Sequence, residues 1–151
     1  MTQKLPVPML MAFEEAEAAA ARGEVPVGAV LVNAAGKVLA RAGNRTLELK
    51  DPTAHAEVLA IRATAQILGS ERLVDCDLYV TLEPCAMCAA AISFARLRRI
   101  YFGAADEKMG AVENGVRFFS SSTCHHAPEI YGGIGENRAQ ELLKQFFKSR
   151  R

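Results

Sequence analysis

Runs of apolar residues along the chain predict helices and strands in a regular order. An Ala-, Glu-, Met- and Leu-rich segment at 8–22 is typical of a helix, and Gly23 is well placed to end it. Apolar runs at 29–32 and 37–42, separated by the turn Asn33-Ala34-Ala35-Gly36, predict a hairpin. The later pattern predicts a helix at about 54–68, a strand at 77–82, an Ala-rich helix at about 86–96, a strand at 99–104, a last strand at 129–134 and a closing helix at 136–149.

The alternation of strands and helices after the hairpin determines the expected architecture. It predicts an α/β fold with one mixed sheet covered by helices on both faces. Each strand–helix–strand step is expected to cross right-handedly and to pair its two strands in parallel. Residues 105–127 contain glycines and a Ser-Ser-Ser-Thr stretch and are predicted to be mostly loop. Because no repeat or linker divides the chain, residues 1–151 are expected to form a single domain.

Composition limits the class of protein more than it limits the partner. Half of the residues are hydrophobic, which argues against disorder, and the formal net charge of +1 favours no charged partner. The N-terminus lacks a signal-peptide pattern, and no segment approaches the ~20 apolar residues of a membrane helix. We therefore expect a cytoplasmic protein with no membrane partner. In that compartment the four cysteines are more easily explained as thiols or metal ligands than as disulfides.

Two short segments combine residues that carry chemistry, and each lies where a predicted helix begins. The first is Thr53-Ala54-His55-Ala56-Glu57, and the second is Glu83-Pro84-Cys85-Ala86-Met87-Cys88. Cys85 and Cys88 are three apart, so they share a face in the first turn of a helix, whose N-terminus favours the thiolate form. Alone, this pair could equally be a redox pair or two core cysteines.

The spacing of His55 and Glu57 indicates how they would have to act. Residues two apart point to opposite sides of a helix, so they cannot form a side-on site. They fit an end-on site, in which the first turn faces something beyond the helix end. His55 could then offer a neutral imidazole to a metal while Glu57 reaches past it. Taken alone, a His followed by Glu is more often a surface or core feature.

Together the two segments predict a catalytic zinc site. His55, Cys85 and Cys88 supply three ligands, which is the number that leaves a fourth position open for water. An unligated carboxylate such as Glu57 can take the proton of that water and pass it on. One helix and one strand separate the segments, and such a unit can bring two helix N-termini to the same end of a sheet, where α/β proteins bind ligands.

A closed structural zinc site is the main alternative. It would need a fourth ligand, and Cys76, Cys124, His125 and His126 are the candidates. Cys76 precedes a predicted strand and should lie at the far end from Cys85, whereas 124–126 belong to a loop that could approach. A disulfide framework is less favoured, and Cys76 and Cys124 are more simply interpreted as thiols.

At this point the sequence resembles a known family. His55-Ala56-Glu57 with Pro84-Cys85-Ala86-Met87-Cys88 is similar to the signature of the cytidine and nucleoside deaminase superfamily. The wider chain, from about residue 9 to the closing helix, resembles the bacterial tRNA-specific adenosine deaminases. This closer resemblance is carried by the segments 24–29, 44–45, 51–57, 78–85 and 101–104 and by Asp106, Lys108, Gly110 and Ala111. It is weaker at 112–127.

The resemblance implies a fold, a reaction and roles for individual residues. The fold would be the three-layer α/β/α cytidine deaminase-like fold with a mixed five-stranded sheet. The reaction would be hydrolytic deamination of adenosine to inosine at the wobble position of a tRNA anticodon, by attack of zinc-bound hydroxide on adenine C6. Glu57 would be catalytic and would move the protons, with one Zn²⁺ per chain. Asn44 and Val27 would contact the target nucleoside, and Asp106 would contact the RNA nearby.

The resemblance also implies partners, namely a tRNA anticodon stem-loop and a second copy of the chain in a homodimer. Phosphate contacts require local positive charge, because the whole chain is nearly neutral. Residues 138–151 carry five basic residues against one acidic residue, and Arg96, Arg98 and Arg99 form a second group. Each group could also be no more than a solvated surface.

Two other functions stay open on the sequence alone. A deaminase of a free base or nucleoside, of cytosine or guanine type, would use the same zinc ligands and Glu57. An RNA-binding protein with a structural zinc is a different class, but it would have no use for an unligated Glu57.

Overall fold

The computed structural model describes residues 4–150 and contains the predicted elements with small shifts at their ends. They are α1 (Val7–Ala21), β1 (Gly28–Val32), β2 (Val38–Gly43), α2 (Ala56–Leu68), β3 (Asp77–Leu82), α3 (Ala86–Ala95), β4 (Arg99–Ala104), a short 3-10 turn (Phe118–Ser120), β5 (Glu129–Tyr131) and α4 (Glu136–Lys148). The last strand ends three residues earlier than predicted. A Cβ at position 132 would lie 2.6 Å from the Phe102 ring, so only Gly132 fits there. Gly133 has φ +79°, a left-handed conformation in which the chain turns away from the strand.

The five strands form one mixed sheet in the order β2-β1-β3-β4-β5. β1 pairs antiparallel with both β2 and β3, whereas β3–β4 and β4–β5 are parallel pairs. The expectation that each strand–helix–strand step pairs its strands in parallel is correct for β3–α3–β4 and wrong for β2–α2–β3. In that step β1 lies between the two strands. Every residue of β1 is buried, and this apolar strand takes the interior place.

Helices cover both faces of the sheet, as the three-layer fold requires. On one face, Ala56 and Ala60 of α2 and Ile92 of α3 pack on a cluster that includes Leu78 and Ile100. On the other face, α1 and α4 pack on β1 and β4 through Phe13, Ala139, Val30 and Ala104. Neighbouring positions of a strand thus enter different clusters, as the two-residue period of a strand dictates. The fold is the mixed, three-layer α/β arrangement that the resemblance implied.

The connections that matter for function lie at one edge of the sheet. β3 ends at Leu82 and α3 begins at Ala86, so the second cysteine motif follows the strand directly. α2 begins nearby at Ala56, and a long loop leaves the end of β4 at Ala104. None of the helices in residues 4–150 combines the length and apolar character needed to span a bilayer.

Candidate active site

His55 and Cys85 hold equivalent positions at the starts of α2 and α3. Each is the N-cap residue of its helix, with extended backbone angles of φ −75°, ψ 152° for His55 and φ −75°, ψ 177° for Cys85. Neither side chain caps its own helix, although N-cap side chains commonly do so. Both side chains are therefore free to point past the helix ends, which is the end-on arrangement expected from the spacing of His55 and Glu57.

His55, Cys85 and Cys88 meet in one group whose geometry fits zinc. His55 Nδ1 lies 3.7 Å from Cys85 Sγ and 3.6 Å from Cys88 Sγ. A tetrahedral ion with bonds of about 2.1 Å to nitrogen and about 2.3 Å to sulfur would separate such atoms by about 3.6 Å. Within residues 4–150 no other cluster of His, Cys, Asp and Glu side chains is close enough to hold an ion. The three predicted ligands thus form an open, three-ligand set.

The two thiols have very different affinities for a proton. Hydrogen bonding to Cys88 and to His55 lowers the pKa of Cys85 to about 4 despite partial burial. The hydrogen bond to Cys85, followed by burial, raises the pKa of Cys88 well above that of a free thiol. The environment thus favours the thiolate at Cys85 and the thiol at Cys88. A divalent cation bound by both sulfurs would hold both as thiolates, since a coordinating thiol is deprotonated outright.

Glu57 lies beside the three ligands but does not belong to them. It is the second residue of α2, and its side chain is 4% exposed. Burial raises the pKa of Glu57 to about 7, and the neighbouring Cys85 thiolate adds to this rise while His55 opposes it. An unligated carboxylate of this kind can exchange protons with groups in the site.

The ligands and Glu57 open into a cavity of about 220 Å³. This volume is below the roughly 300–1,000 Å³ of pockets for drug-sized ligands, so it suits one flat ring system rather than a whole nucleotide. The lining combines apolar walls with a few polar groups. The residues that line it are Val25, Val27, Asn44, Thr46, His55, Glu57, Leu82, Glu83, Cys85, Asp106 and Met109. Six of the seven residues predicted from the sequence line it, and the seventh, Cys88, is fully buried behind Cys85 and His55.

Asn44 has a structural bond on one side of its amide and a free donor on the other. Its Oδ1 accepts a hydrogen bond from the backbone N–H of Ala56 at 2.8 Å. Its backbone carbonyl accepts a hydrogen bond from the Arg22 guanidinium at 3.1 Å. The Nδ2 group donates to no atom of residues 4–150 and belongs to a side chain that lines the cavity. Asn44 thus holds the start of α2 and is also a candidate substrate contact.

Asp106 also lines the cavity while it stabilises its own turn. One carboxylate oxygen, Oδ1, accepts hydrogen bonds from the backbone N–H groups of Lys108 and Met109 at 3.1 and 3.0 Å. The side chain therefore keeps one oxygen, Oδ2, for other contacts. Val27 is a buried wall residue of the same cavity.

Two buried glutamates at this edge of the sheet belong to the sequence motifs, but the sequence assigns them no role. Glu24 accepts hydrogen bonds from Leu47 N, Glu48 N and the Thr46 hydroxyl, and so holds the loop that carries Thr46. Glu83 holds the loop after β4 in the same way. The only sequence signal for them is a carboxylate among apolar residues next to a chain reversal, which does not reveal the partner.

The candidate fourth ligands lie elsewhere. Cys124 Sγ contacts Ser93 Oγ at 3.6 Å and donates to the His126 carbonyl at 3.1 Å, and His126 Nε2 lies 2.7 Å from the Leu97 carbonyl. Ser93 is eight residues beyond Cys85, about 12 Å along α3. Within the described chain the cysteines are free thiols, and Cys76 is buried. Residues 4–150 thus provide no fourth protein ligand and no disulfide.

The two basic groups differ in their surroundings. Arg98 is paired with Asp77 at 2.7 Å and Arg99 with Glu129 at 3.0 Å, so this group is largely neutralised at the start of β4, away from the cavity. On α4, Lys144 and Lys148 flank Leu143 and Phe147 on an exposed surface. A groove of about 550 Å³ between α4 and the loop after β4 shares Val25, Leu82, Asp106 and Met109 with the cavity.

Comparisons with known proteins agree with this geometry. Residues 3–104 match the model of the cytidine and deoxycytidylate deaminase zinc-binding region. The chain is 62% identical over 143 residues to the tRNA-specific adenosine deaminase of Agrobacterium fabrum, covering 95% of this chain and 93% of the relative. It is 48% identical to the enzyme of the same description from Rickettsia bellii, covering 93% and 97%.

A solved structure is similar over nearly the same length. It comes from a biochemical and structural study of A-to-I editing by tRNA:A34 deaminases at the wobble position of transfer RNA. The TM-score is 0.89 at 61% identity, and the match covers 91% of this chain and 99% of the solved one.

Proposed function

Since this chain belongs to the tRNA-specific adenosine deaminases and carries the zinc-binding region of cytidine and deoxycytidylate deaminases, we propose that the cavity at the starts of α2 and α3 is where it converts the wobble adenosine of a tRNA to inosine. The enzyme is a zinc-dependent hydrolase acting on a C–N bond: water adds at C6 of adenine, and ammonia leaves. The observation that carries the proposal is the buried, unligated Glu57 beside an open set of three zinc ligands.

The residues of the site divide the chemistry between them. His55, Cys85 and Cys88 would hold the zinc, and zinc bound there would make a water acidic enough to lose its proton near neutral pH. Glu57 accepts that proton, transfers it to the ring nitrogen next to C6, and then assists protonation of the exocyclic amine as the C–N bond breaks. The same carboxylate thus acts first as a base and then as an acid, and no second proton carrier is required.

The cavity walls orient the base for this reaction. Asn44 Nδ2 is the free donor of an otherwise engaged side chain, and it is proposed to bond the target nucleoside. Val27 and Leu82 provide apolar surface against the ring. Asp106 is proposed to contact the RNA next to the target through Oδ2, because Oδ1 is already engaged by its own turn. Fixing the ring in this way places C6 against the attacking water.

The size of the cavity implies how the RNA must bind. A space that suits one base requires the wobble adenosine to be splayed out of the anticodon loop. The groove that continues from the cavity to α4 can take the neighbouring backbone, with Lys144 and Lys148 near its end. The anticodon stem-loop is therefore proposed to lie across α4, where its phosphates meet these lysines. Such a substrate is cytoplasmic, and we propose the same location for the enzyme.

The outer surface of α2 and α3 is proposed to bind a second copy of the chain. Val58 and Ile61 of α2 face Ala91 and Phe94 of α3 across a shallow apolar cleft. Phe94 is 71% exposed, which is unusual for an aromatic side chain on a helix beside a core. Because the same two helices begin at the zinc ligands, a partner on this surface would lie close to the RNA-binding side of the site.

The substrate assignment is tested by comparing turnover of several candidates by the zinc-loaded enzyme. An anticodon stem-loop with a wobble adenosine is expected to be converted to inosine much faster than free adenosine, cytidine or guanine. The matched control is the same stem-loop with its adenosine moved one position from the wobble site. Faster turnover of a free base, or equal turnover of the control, would overturn the proposal.

The dimer is tested by sedimentation of the wild-type protein and of Phe94→Glu. The wild type is expected to sediment as a dimer and the variant as a folded monomer, because a buried unpaired carboxylate disfavours association. A wild-type protein that sediments as a monomer at micromolar concentration would refute this proposal without affecting the substrate assignment.

A further inference from the structure

Glu83 makes an unusual number of hydrogen bonds for one side chain. It directly precedes Pro84 and Cys85, and it is 2% exposed. Its Oε1 accepts from Asp106 N at 2.9 Å and from Asn114 Nδ2 at 2.7 Å. Its Oε2 accepts from three successive backbone N–H groups, those of Val112, Glu113 and Asn114, at 3.0, 2.9 and 3.0 Å. A single carboxylate is thus the acceptor for five donors.

These donors lie at the two ends of one loop. Asp106 begins the segment 106–114 and Asn114 ends it. The Glu83 side chain, which lies outside this segment, therefore joins its two ends by hydrogen bonds. The Glu83 side chain also lies close to the backbone in the middle of the segment, because a Cβ on Gly110 would lie 2.5 Å from Glu83 Cδ. The Pro84 carbonyl also accepts from Ala111 N at 2.9 Å. The loop is therefore held against the strand end mainly by polar contacts.

The same loop supplies one wall of the cavity. Asp106 and Met109 line it, and the side chain of Met109 is 68% exposed. The main chain of Asp106 is bonded to Glu83, and its carboxylate in turn orders Lys108 and Met109. The position of this wall therefore depends on the Glu83 carboxylate through an unbroken series of hydrogen bonds.

Glu83 has no capacity left for the reaction itself. Burial raises its pKa, but the hydrogen bonds from Asp106, Asn114, Glu113 and Val112 outweigh that effect and keep the pKa below the usual value. All of its acceptor positions are directed at the loop, so it can neither replace Glu57 as a proton carrier nor serve as a metal ligand. Its contribution must be made through the residues that it holds.

We propose that Glu83 is a positioning residue that preorganises the wall carrying Asp106 and Met109, so that the enzyme binds its RNA without first having to order this loop. The inference rests on the proposed function for its choice of substrate. If the segment 106–114 were mobile, it would have to become ordered when the RNA binds. The free-energy cost of this ordering would weaken binding. The chemistry at Glu57 and the zinc ligands is left intact once the substrate is bound.

The test compares Glu83→Gln with Glu113→Gln, which removes a charge from an exposed side chain of the same loop. Glutamine keeps the shape of Glu83 but presents an NH₂ group to backbone donors. For Glu83→Gln, KM for the stem-loop is expected to rise on the order of tenfold, with kcat per bound zinc changed less than about threefold. Amide exchange at Val112, Glu113 and Asn114 is expected to accelerate at least about tenfold. Glu113→Gln is expected to match the wild type in all three.

A merely structural role would lower the active fraction and leave KM unchanged, so an unchanged KM in a folded, zinc-loaded variant overturns the proposal. Loss of zinc would also overturn it, because Glu83 would then act through Cys85. If Glu83→Gln does not fold, Asn114→Ala removes one of the five bonds and is expected to raise KM by a smaller factor; no rise would count against the proposal. A wild-type enzyme inactive on the stem-loop refutes the proposed function, whereas the exchange data still decide whether Glu83 orders the loop.

Discussion

The amide oxygen of Asn44 caps the first turn of α2 by accepting a hydrogen bond from the backbone N–H of Ala56 at 2.8 Å. The N-cap residue itself, His55, makes no capping bond with its side chain. Asn44, twelve positions before Ala56 in the chain, therefore satisfies the first N–H group of the helix, and the imidazole of His55 is left free to bind a metal. One side chain thus connects the geometry of a proposed zinc ligand with the wall of the cavity.

This double role can be separated with two substitutions. Asn44→Asp keeps an acceptor for Ala56 N and is expected to unfold within a few degrees of the wild type, whereas Asn44→Ala is expected to lose about 1 kcal/mol of stability. Both variants lack the Nδ2 donor and are expected to lose at least about tenfold in kcat/KM on the stem-loop. Thermal unfolding and inosine formation provide the two measurements. Wild-type activity in Asn44→Asp would remove the substrate contact from the mechanism.

Replacement of Glu57 by Gln is expected to abolish turnover while the zinc remains. The side chain keeps its volume in a buried position, but it can no longer accept and return a proton, so kcat should fall by about 10²–10⁴-fold. Inosine formation and metal content are measured on the same preparation. A variant that retains one zinc per chain and near-wild-type turnover would show that another group moves the proton.

The sequence predicted the elements well because their signals are local. The run Leu-Tyr-Val-Thr-Leu at the heart of β3 and the Ala-rich segment of α3 each match the observed element closely. The cluster of His55, Cys85 and Cys88 was predictable for a related reason, since Cys85 and Cys88 need only a helix start to converge. His55 could be added because catalytic zinc has few ligand sets.

What the sequence could not provide are relations between distant segments. The placement of β1 between β2 and β3 depends on which strand is buried deepest, and periodicity along the chain does not encode it. The contacts of Glu83 span 23 to 31 residues, so no local pattern indicates them. Asp106 was expected to contact the RNA; the structure shows that its carboxylate bonds the backbone of its own turn, and the RNA contact stays a prediction.

The hydrogen bonds of Glu24 predict how stability depends on pH. Burial raises the pKa of Glu24, but bonds from Glu48 N, Leu47 N and the Thr46 hydroxyl outweigh it and set the folded pKa below the ordinary 4.5. The ionised carboxylate therefore stabilises the fold above about pH 4.5, and this contribution disappears as the pH falls through the lower folded pKa. The free energy of unfolding should fall less steeply on acidification in Glu24→Gln than in the wild type.

Denaturant unfolding between about pH 7 and about pH 3 measures this difference. Glu48→Gln serves as the matched control because it lies in the same loop and its carboxylate makes only an exposed ion pair with Arg45, a kind of pair that contributes little to stability. The control should follow the wild-type pH dependence. Parallel curves for Glu24→Gln and the wild type would contradict the assigned cause.

Thr64 offers a stabilising substitution away from the site. It is fully buried in α2, and its hydroxyl has no hydrogen-bond partner within residues 4–150. Thr64→Val keeps the branched shape, removes the unsatisfied hydroxyl, and is expected to add about 1 kcal/mol to the free energy of unfolding. Thr64→Ser, which keeps the hydroxyl and loses the methyl group, should be less stable than the wild type. A destabilised Thr64→Val would mean that the hydroxyl has a partner.

The shared position of His55 and Cys85, each at the start of its own helix, has a consequence for folding. The two residues are thirty apart in the chain, and the intervening segment contains all of α2 and β3. An ion that joins them crosslinks the polypeptide across this segment, much as a disulfide would. Loop-closure arguments put the entropic effect of such a crosslink at about 3–4 kcal/mol. The metal needed for the reaction would then also stabilise the tertiary structure. A cell short of zinc would therefore lose folded enzyme as well as activity.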